Sequence, residues 1–323
     1  MNKDNETIFK IVFETLVKRK PNDTETKFFL ENIPLNPDCK DITNLLNDSP
    51  ERLFHSCYEI WERLGNFKGN KFLLIHLPRT GGTSMRVTIE NATSLPVMIL
   101  YDDNCEIKYG FGFPANLSKY IDWPHKEGHI PIDFIQENQS AISISRDPRV
   151  RIMSFYMHSV RANPYLTFDE FIKQQYQDPC VKLLAYWPNR YRDKWIQLNK
   201  EQRYEMLETG LSKLSKMAWT HDAESLNNLA EFVCGSAVEI ENVNGNKDFK
   251  GIKVPKINFT YENMKLFEKC VLIENEYIKI AIDKGLLNEP NWTLMDDIFN
   301  DYIKEYTINF SGNSINKFCD CIK

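Results

Sequence analysis

Residues 71–90 read Lys-Phe-Leu-Leu-Ile-His-Leu-Pro-Arg-Thr-Gly-Gly-Thr-Ser-Met-Arg-Val-Thr-Ile-Glu. The apolar run Phe72–Ile75 has the length of a buried strand. It continues through His76 and Leu77 and is broken by Pro78. Two adjacent glycines, Gly81 and Gly82, allow a tight turn, and Thr83 or Ser84 can open the helix-compatible segment Met85–Glu90. A strand, a turn of small residues and a helix start leave unpaired amides and the positive end of the helix dipole aimed at one place. Arg79 adds a fixed positive charge there. The stretch reads as a site for a phosphate-like anion, with a ligand-free turn as the alternative. It is not the usual nucleoside-triphosphatase loop, which carries lysine directly after its second glycine; here the cation precedes the glycines.

A second stretch, residues 141–156, repeats the plan: Ala-Ile-Ser-Ile-Ser, then Arg146-Asp147-Pro148, then Arg-Val-Arg-Ile-Met-Ser-Phe-Tyr. Asp147 suits the N-cap of a helix and Pro148 its first turn. Arg146 falls at the expected strand end, and Ser154 about two turns into the helix. If the two strands are parallel neighbours, both loops open on the edge where α/β sheets bind nucleotides. The alternatives are a surface ion pair for Arg146 and an ordinary helix position for Ser154.

Pro78-Arg79-Thr80-Gly81-Gly82-Thr83-Ser84 resembles the 5′-phosphosulfate loop of sulfotransferases, usually written PKTGGTS. Arg146-Asp147-Pro148-x-x-Arg151-x-x-Ser154-Phe155-Tyr156 resembles their 3′-phosphate motif. Gly128-His129-Ile130, lying between, is similar to the GH segment of the carbohydrate branch that includes heparan 2-O-sulfotransferases. The likeness covers roughly residues 70–160. It implies 3′-phosphoadenosine-5′-phosphosulfate (PAPS) as donor, adenosine 3′,5′-bisphosphate as product, and no metal. Arg79, Thr80, Gly81, Gly82, Thr83 and Ser84 would then hold the phosphosulfate, and Arg146 and Ser154 the 3′-phosphate. His129 would be the base that takes the acceptor hydroxyl's proton, work suited to imidazole near neutral pH. Most relatives carry lysine at the position of Arg79. Arginine keeps the charge but holds its proton too tightly for a general acid, so its expected role is electrostatic.

The chain has 323 residues, 42% hydrophobic and 26% charged, with a formal net charge of −5. An acidic balance argues against nucleic acid as partner. The expected acceptor is a hydroxyl-bearing carbohydrate or small molecule. No apolar run approaches the roughly 18 residues of a membrane span, and MNKDNETIFK lacks a signal-peptide core. A cytoplasmic protein is expected, or one of a Golgi-type lumen if the chain is a trimmed piece. The eight cysteines form no CxxC pair; Cys319-x-Cys321 reads as a reduced tail.

The expected fold is α/β: a P-loop-like, mostly parallel sheet between helices over residues 67–323, with a helical extension over 1–66. The extension's helices are read around Ile8–Leu16, Thr24–Asn32, Asp41–Asn47 and Glu51–Leu64. A strand is expected at Val97–Leu100, and loop-like chain from Asn116 to His125. Beyond the second motif the chain reads as helical. A capping box opens at Thr167, helices run over Asn199–Glu208 (stopped by Gly210) and Asp222–Val233, and others over Tyr261–Lys284 and Leu294–Tyr306. Lysines 247, 250 and 253 lie in a polar loop that could close on a nucleotide. Two other functions fit the same residues: a P-loop-type kinase, or an inactive nucleotide-binding protein that recruits a partner through its N-terminal helices.

Overall fold

Among the described residues two helices precede the first strand, α1 (Lys3–Val17) and α2 (Asp23–Asn32). Their apolar faces meet through Phe9, Phe13 and Phe29, with ring centroids 5.1–6.0 Å apart. Offset and edge contacts of this kind suit the ring quadrupole. Asn22 and Glu25 close the start of α2 reciprocally, each side chain accepting from the other's backbone N–H at 2.7 and 2.8 Å.

In the computed structural model the described residues are 3–17, 20–32, 71–93, 95, 97–101, 113–114, 125–135, 139–187, 194–240 and 256–309. The helices expected at 41–47 and 51–64, and the lysine-bearing loop at 247–253, lie outside them. The chain falls into two compact units. One comprises Met1–Leu73, Ile89–Ile130 and Phe134–Ser140; the other comprises Leu74–Thr88, Pro131–Asp133 and Ala141–Lys323.

The apolar run forms β1 (Phe72–Ile75), buried at all four positions. Helix α3 (Gly82–Thr93) follows. It starts at Gly82, before Thr83 and Ser84, because the Gly81 carbonyl already accepts the first helical bond from Met85 N at 3.2 Å. Then come β2 (Met98–Tyr101), β3 (Phe113–Pro114), β4 (His125–Gly128) and β5 (Ser140–Ser145). After β5 run α4 (Pro148–Ala162), α5 (Phe168–Gln177) and α6 (Lys200–Leu211). Strand β6 (Leu214–Trp219) and α7 (Ala223–Cys234) follow. The chain closes through β7 (Ile257–Asn258), α8 (Tyr261–Asp283), α9 (Trp292–Tyr306) and β8 (Thr307–Asn309).

The fold is α/β, with the main strands in the order β3-β2-β4-β1-β5-β6 and β7 paired separately with β8. The pairs β2/β3, β2/β4 and β5/β6 are parallel. Parallel pairing needs crossovers, which the intervening helices supply. From β1 the chain runs on to β2, whereas from β5 it runs on to β6 on the opposite side. Neighbouring strands whose continuations diverge leave a crevice at their carboxyl ends.

Two strands differ from the sequence reading. His125–Gly128, of which only His125 fell in chain read as loop, is a buried strand. Its polar sequence, His-Lys-Glu-Gly, carries none of the apolar signal on which strand recognition depends. Leu214–Trp219, in a region read as helical, is β6. Gly210 does not stop α6 but lies inside it; a Cβ there would sit 2.0 Å from the Leu184 carbonyl oxygen. The caps agree with expectation. Asp147 accepts from Arg149 N ahead of Pro148, Thr167 and Glu170 form a capping box, and Gly235 closes α7 in the left-handed region. A core of Met153, Met157, Phe168, Phe171, Val271 and Phe299 joins α4, α5, α8 and α9. Each such side chain contributes roughly 1.5–3 kcal/mol by leaving water.

Candidate functional site

The turn after β1 is held by its carbonyls. Leu77 O accepts from Thr80 N at 3.3 Å and from Thr80 Oγ1 at 2.8 Å. Pro78 O accepts from Arg151 Nη1 at 3.4 Å, and Arg79 O from Arg146 Nη1 at 3.1 Å. Thr220 Oγ1 lies between the carbonyls of Thr80 and Ser145, 2.8 Å from the latter. Gly81 O takes the first bond of α3. In a planar trans peptide the carbonyl and the next N–H point opposite ways. Fixing the carbonyls of Thr80 and Gly81 therefore turns the amides of Gly81 and Gly82 to the other side, while the Thr80 amide stays on Leu77 O. Among the described residues the amides of Gly81, Gly82 and Thr83 make no hydrogen bond. Successive outward amides at a helix start form an anion-binding concavity.

Both glycines are required by geometry. Gly81 has φ +90°, which disfavours any Cβ. At Gly82 a Cβ would stand 2.4–2.5 Å from the ring of His76, which packs under the turn. Arg79 has φ +68°, uncommon for a residue with a side chain and costing roughly 1–2 kcal/mol. Arg146 bonds the Arg79 carbonyl, and Ser154 Oγ accepts from Arg79 Nε at 3.2 Å.

The three arginines of the second motif have separate partners. Arg149 holds Asp147 through Nε and Nη2 and reaches Asp296 of α9 at 2.8 Å. Burial disfavours its charge, but Asp147 and Asp296 outweigh that and raise its pKa above the ordinary arginine value. Arg151, fully buried, makes a two-pronged pair with Glu274 of α8. Arg146 has neither arrangement. Its guanidinium donates to Arg79 O and, at 3.4 Å, to Tyr302 Oη, and stands 5.9 Å over the Tyr302 ring. Among the described residues no carboxylate pairs with it. Among the described residues Arg146 makes no ion pair with the adjacent Asp147, whose carboxylate is held by Arg149. A partly buried cation without a counter-charge favours an anion beside it.

Two cavities open here and share Thr220 and His221. One, of about 500 Å³, is lined by Gly81, Ser84, Met85 and Leu226 besides that pair. The other, of about 170 Å³, is lined by Arg146, Asp147, Val150 and Met295. The larger lies within the usual range of small-molecule pockets. His221 packs at 5.4 Å against Trp219. Burial lowers its pKa below the usual 6.5; Arg146 lowers it further, while Asp147 and Asp222 oppose.

The structure thus places Arg79, Thr80, Gly81, Gly82, Thr83, Ser84, Arg146 and Ser154 in one unit, where Gly81 and Ser84 line the larger cavity and Arg146 the smaller. His129 belongs to the other unit, as the exposed residue directly after β4. The neighbouring Gly128 has a packing reason of its own: a Cβ would meet the Leu100 carbonyl oxygen of β2 at 2.5 Å. Sequence reasoning missed Thr220, His221 and Tyr302. Asp222 was legible as a helix cap, and a strand ahead of that cap would have pointed to Thr220 and His221. Tyr302 carried no local signal. Among the described residues no group of three His, Cys, Asp or Glu side chains could hold a metal ion, and no helix is long and apolar enough to cross a membrane. No family model matches the chain, and no curated protein matches it either.

Proposed function

We propose that the protein is a sulfotransferase that moves the sulfuryl group of PAPS to an acceptor hydroxyl. One observation carries the reading: the two motif loops meet, with the Arg146 guanidinium 3.1 Å from the Arg79 carbonyl and Ser154 Oγ 3.2 Å from Arg79 Nε. A ligand with anions at two ends fits such a pair of sites. The P-loop-like turn, where the amides of Gly81, Gly82 and Thr83 make no hydrogen bond among the described residues, would take the 5′-phosphosulfate. Arg146 would take the 3′-phosphate by a two-pronged charge-assisted contact, next to Ser154. The larger cavity beside Gly81 and Ser84 has room for the nucleoside.

Transfer by in-line displacement needs the acceptor oxygen positioned and the leaving phosphate neutralised. When bound, PAPS supplies the activated sulfuryl group. The turn's amides and Arg79 would stabilise the charge that develops on the departing phosphate. The role proposed for Arg79 is electrostatic, since an arginine guanidinium is a poor general acid. His129 is the proposed base, receiving the acceptor's proton as the oxygen attacks sulfur. The acceptor proposed is a carbohydrate or small alcohol, and the setting the cytoplasm.

Thermal-shift titration separates this reading from a kinase. Adenosine 3′,5′-bisphosphate should stabilise the protein more than ADP with magnesium; the reverse order overturns the proposal. Transfer of labelled sulfate from PAPS to a panel of hydroxyl acceptors tests the reaction. Nucleotide binding without transfer to any acceptor would leave the inactive binding protein as the better account.

A further inference from the structure

Arg151 is bonded to the turn and lines neither cavity. Its Nε and Nη2 hold the two oxygens of Glu274, and its remaining terminal nitrogen reaches the Pro78 carbonyl. The guanidinium is 0% exposed and Glu274 3%. Burial disfavours its charge, and Glu274 more than restores it. We infer that Arg151, anchored by Glu274, is a positioning residue: it sets the turn that binds the anion by gripping the Pro78 carbonyl, without touching the ligand.

Three observations support this. First, a buried ion pair adds little net stability over apolar side chains of the same size, so stability alone is a weak account of Arg151 and Glu274. Second, the planar fork of arginine can serve a carboxylate and a carbonyl at once, which the point charge of lysine does poorly. Third, the Pro78 carbonyl immediately precedes Arg79, whose φ of +68° must be held from outside. Arg146 grips the next carbonyl along and Thr220 the one after. Side chains from α4, from the loop ahead of it and from the end of β6 thus secure three successive peptides. Arg151 is the member of this set that lines neither cavity.

The test uses the whole chain and two variants. Arg151→Met combined with Glu274→Met removes the pair without leaving a lone buried charge. Arg151→Lys retains a charge opposite Glu274 but not the fork. Amide hydrogen exchange over residues 79–84, read at Thr80, whose amide is bonded to Leu77 O, is measured without ligand, together with the thermal midpoint and the affinity for adenosine 3′,5′-bisphosphate. In the double variant, exchange over 79–84 should speed by about tenfold, as expected for loss of a charged hydrogen bond. The thermal midpoint and exchange in α9 should stay near their original values. Arg151→Lys should fall between, and it decides the matter if the double variant does not fold. Unchanged exchange over 79–84 in a folded variant overturns the inference, as does faster exchange spread evenly over the chain. The inference builds on the nucleotide reading only for affinity, where about a tenfold weakening is expected. If the original protein does not bind the nucleotide, the sulfotransferase reading fails, while the exchange result still decides the role of Arg151.

Discussion

Replacing Arg146 by methionine keeps most of the side chain's bulk and removes its charge. Within the protein, the guanidinium makes one bond of 3.1 Å to Arg79 O and a longer one of 3.4 Å to Tyr302 Oη. Losing these should cost about 1–2 kcal/mol of stability. The larger effect falls on the ligand. With no carboxylate paired to it among the described residues, Arg146 has its charge available to a phosphate. Two charge-assisted bonds to a 3′-phosphate, at roughly 1.5 kcal/mol or more each, amount to about 3 kcal/mol, or roughly a hundredfold in affinity. Calorimetric titration with adenosine 3′,5′-bisphosphate and with adenosine 5′-monophosphate isolates that part. The monophosphate reports the turn at residues 78–84 alone, so its affinity should drop far less. The ratio of the two affinities, large in the original protein, should collapse in Arg146→Met. Equal weakening of both nucleotides would show that Arg146 supports the turn and not the 3′-phosphate. An unchanged ratio would refute the assignment.

Gly82→Ala drives a methyl group into the His76 ring. Overpacking of this kind costs about 1–3 kcal/mol, read as a lower urea midpoint, with nucleotide binding lost in parallel; an alanine variant of unaltered stability and affinity would contradict the packing described. His221 should make stability pH-dependent. Its folded pKa is depressed, so the folded state binds fewer protons than the unfolded one below the ordinary value of 6.5. The associated stabilisation is present above pH 6.5 and fades as the solution is acidified through the folded pKa. His221→Gln should flatten that decline in unfolding experiments between pH 7.5 and 5; an identical slope in both proteins would remove His221 as its source. His129→Ala should cut sulfate transfer by about 10²–10⁴-fold and leave the affinity for adenosine 3′,5′-bisphosphate unaltered. Unchanged turnover would exclude His129 as the base.

Much of the fold was legible locally. Phe72–Ile75 is a continuous apolar run and forms a strand; Asp147, Thr167, Asn199, Asp222 and Thr260 are helix caps that can be read within four residues of chain. What escaped was structure whose cause is distant. β4 is polar in sequence and still buried at all four positions. Gly210 looks like a stop and is a contact point, because the backbone it meets is at Leu184. β6 has a mixed pattern, and its neglect concealed Thr220 and His221.

The candidate site divides the same way. The amino-acid sequence by itself determined where the backbone could turn, since the lack of a Cβ at Gly81 and the ring of Pro78 act on their own dihedrals wherever the chain folds. It also determined that positive charge would gather near residues 146–151, where three arginines stand in six positions. It could not say which of the three would be left for an anion, because the side chains are chemically identical. That was decided by Asp147, which turns to Arg149 and is joined there by Asp296 from 147 residues away, and by Glu274, which reaches Arg151 from 123 residues away. Charge pairing depends on separation in space, and only the packing of α8 and α9 against α4 fixes those distances.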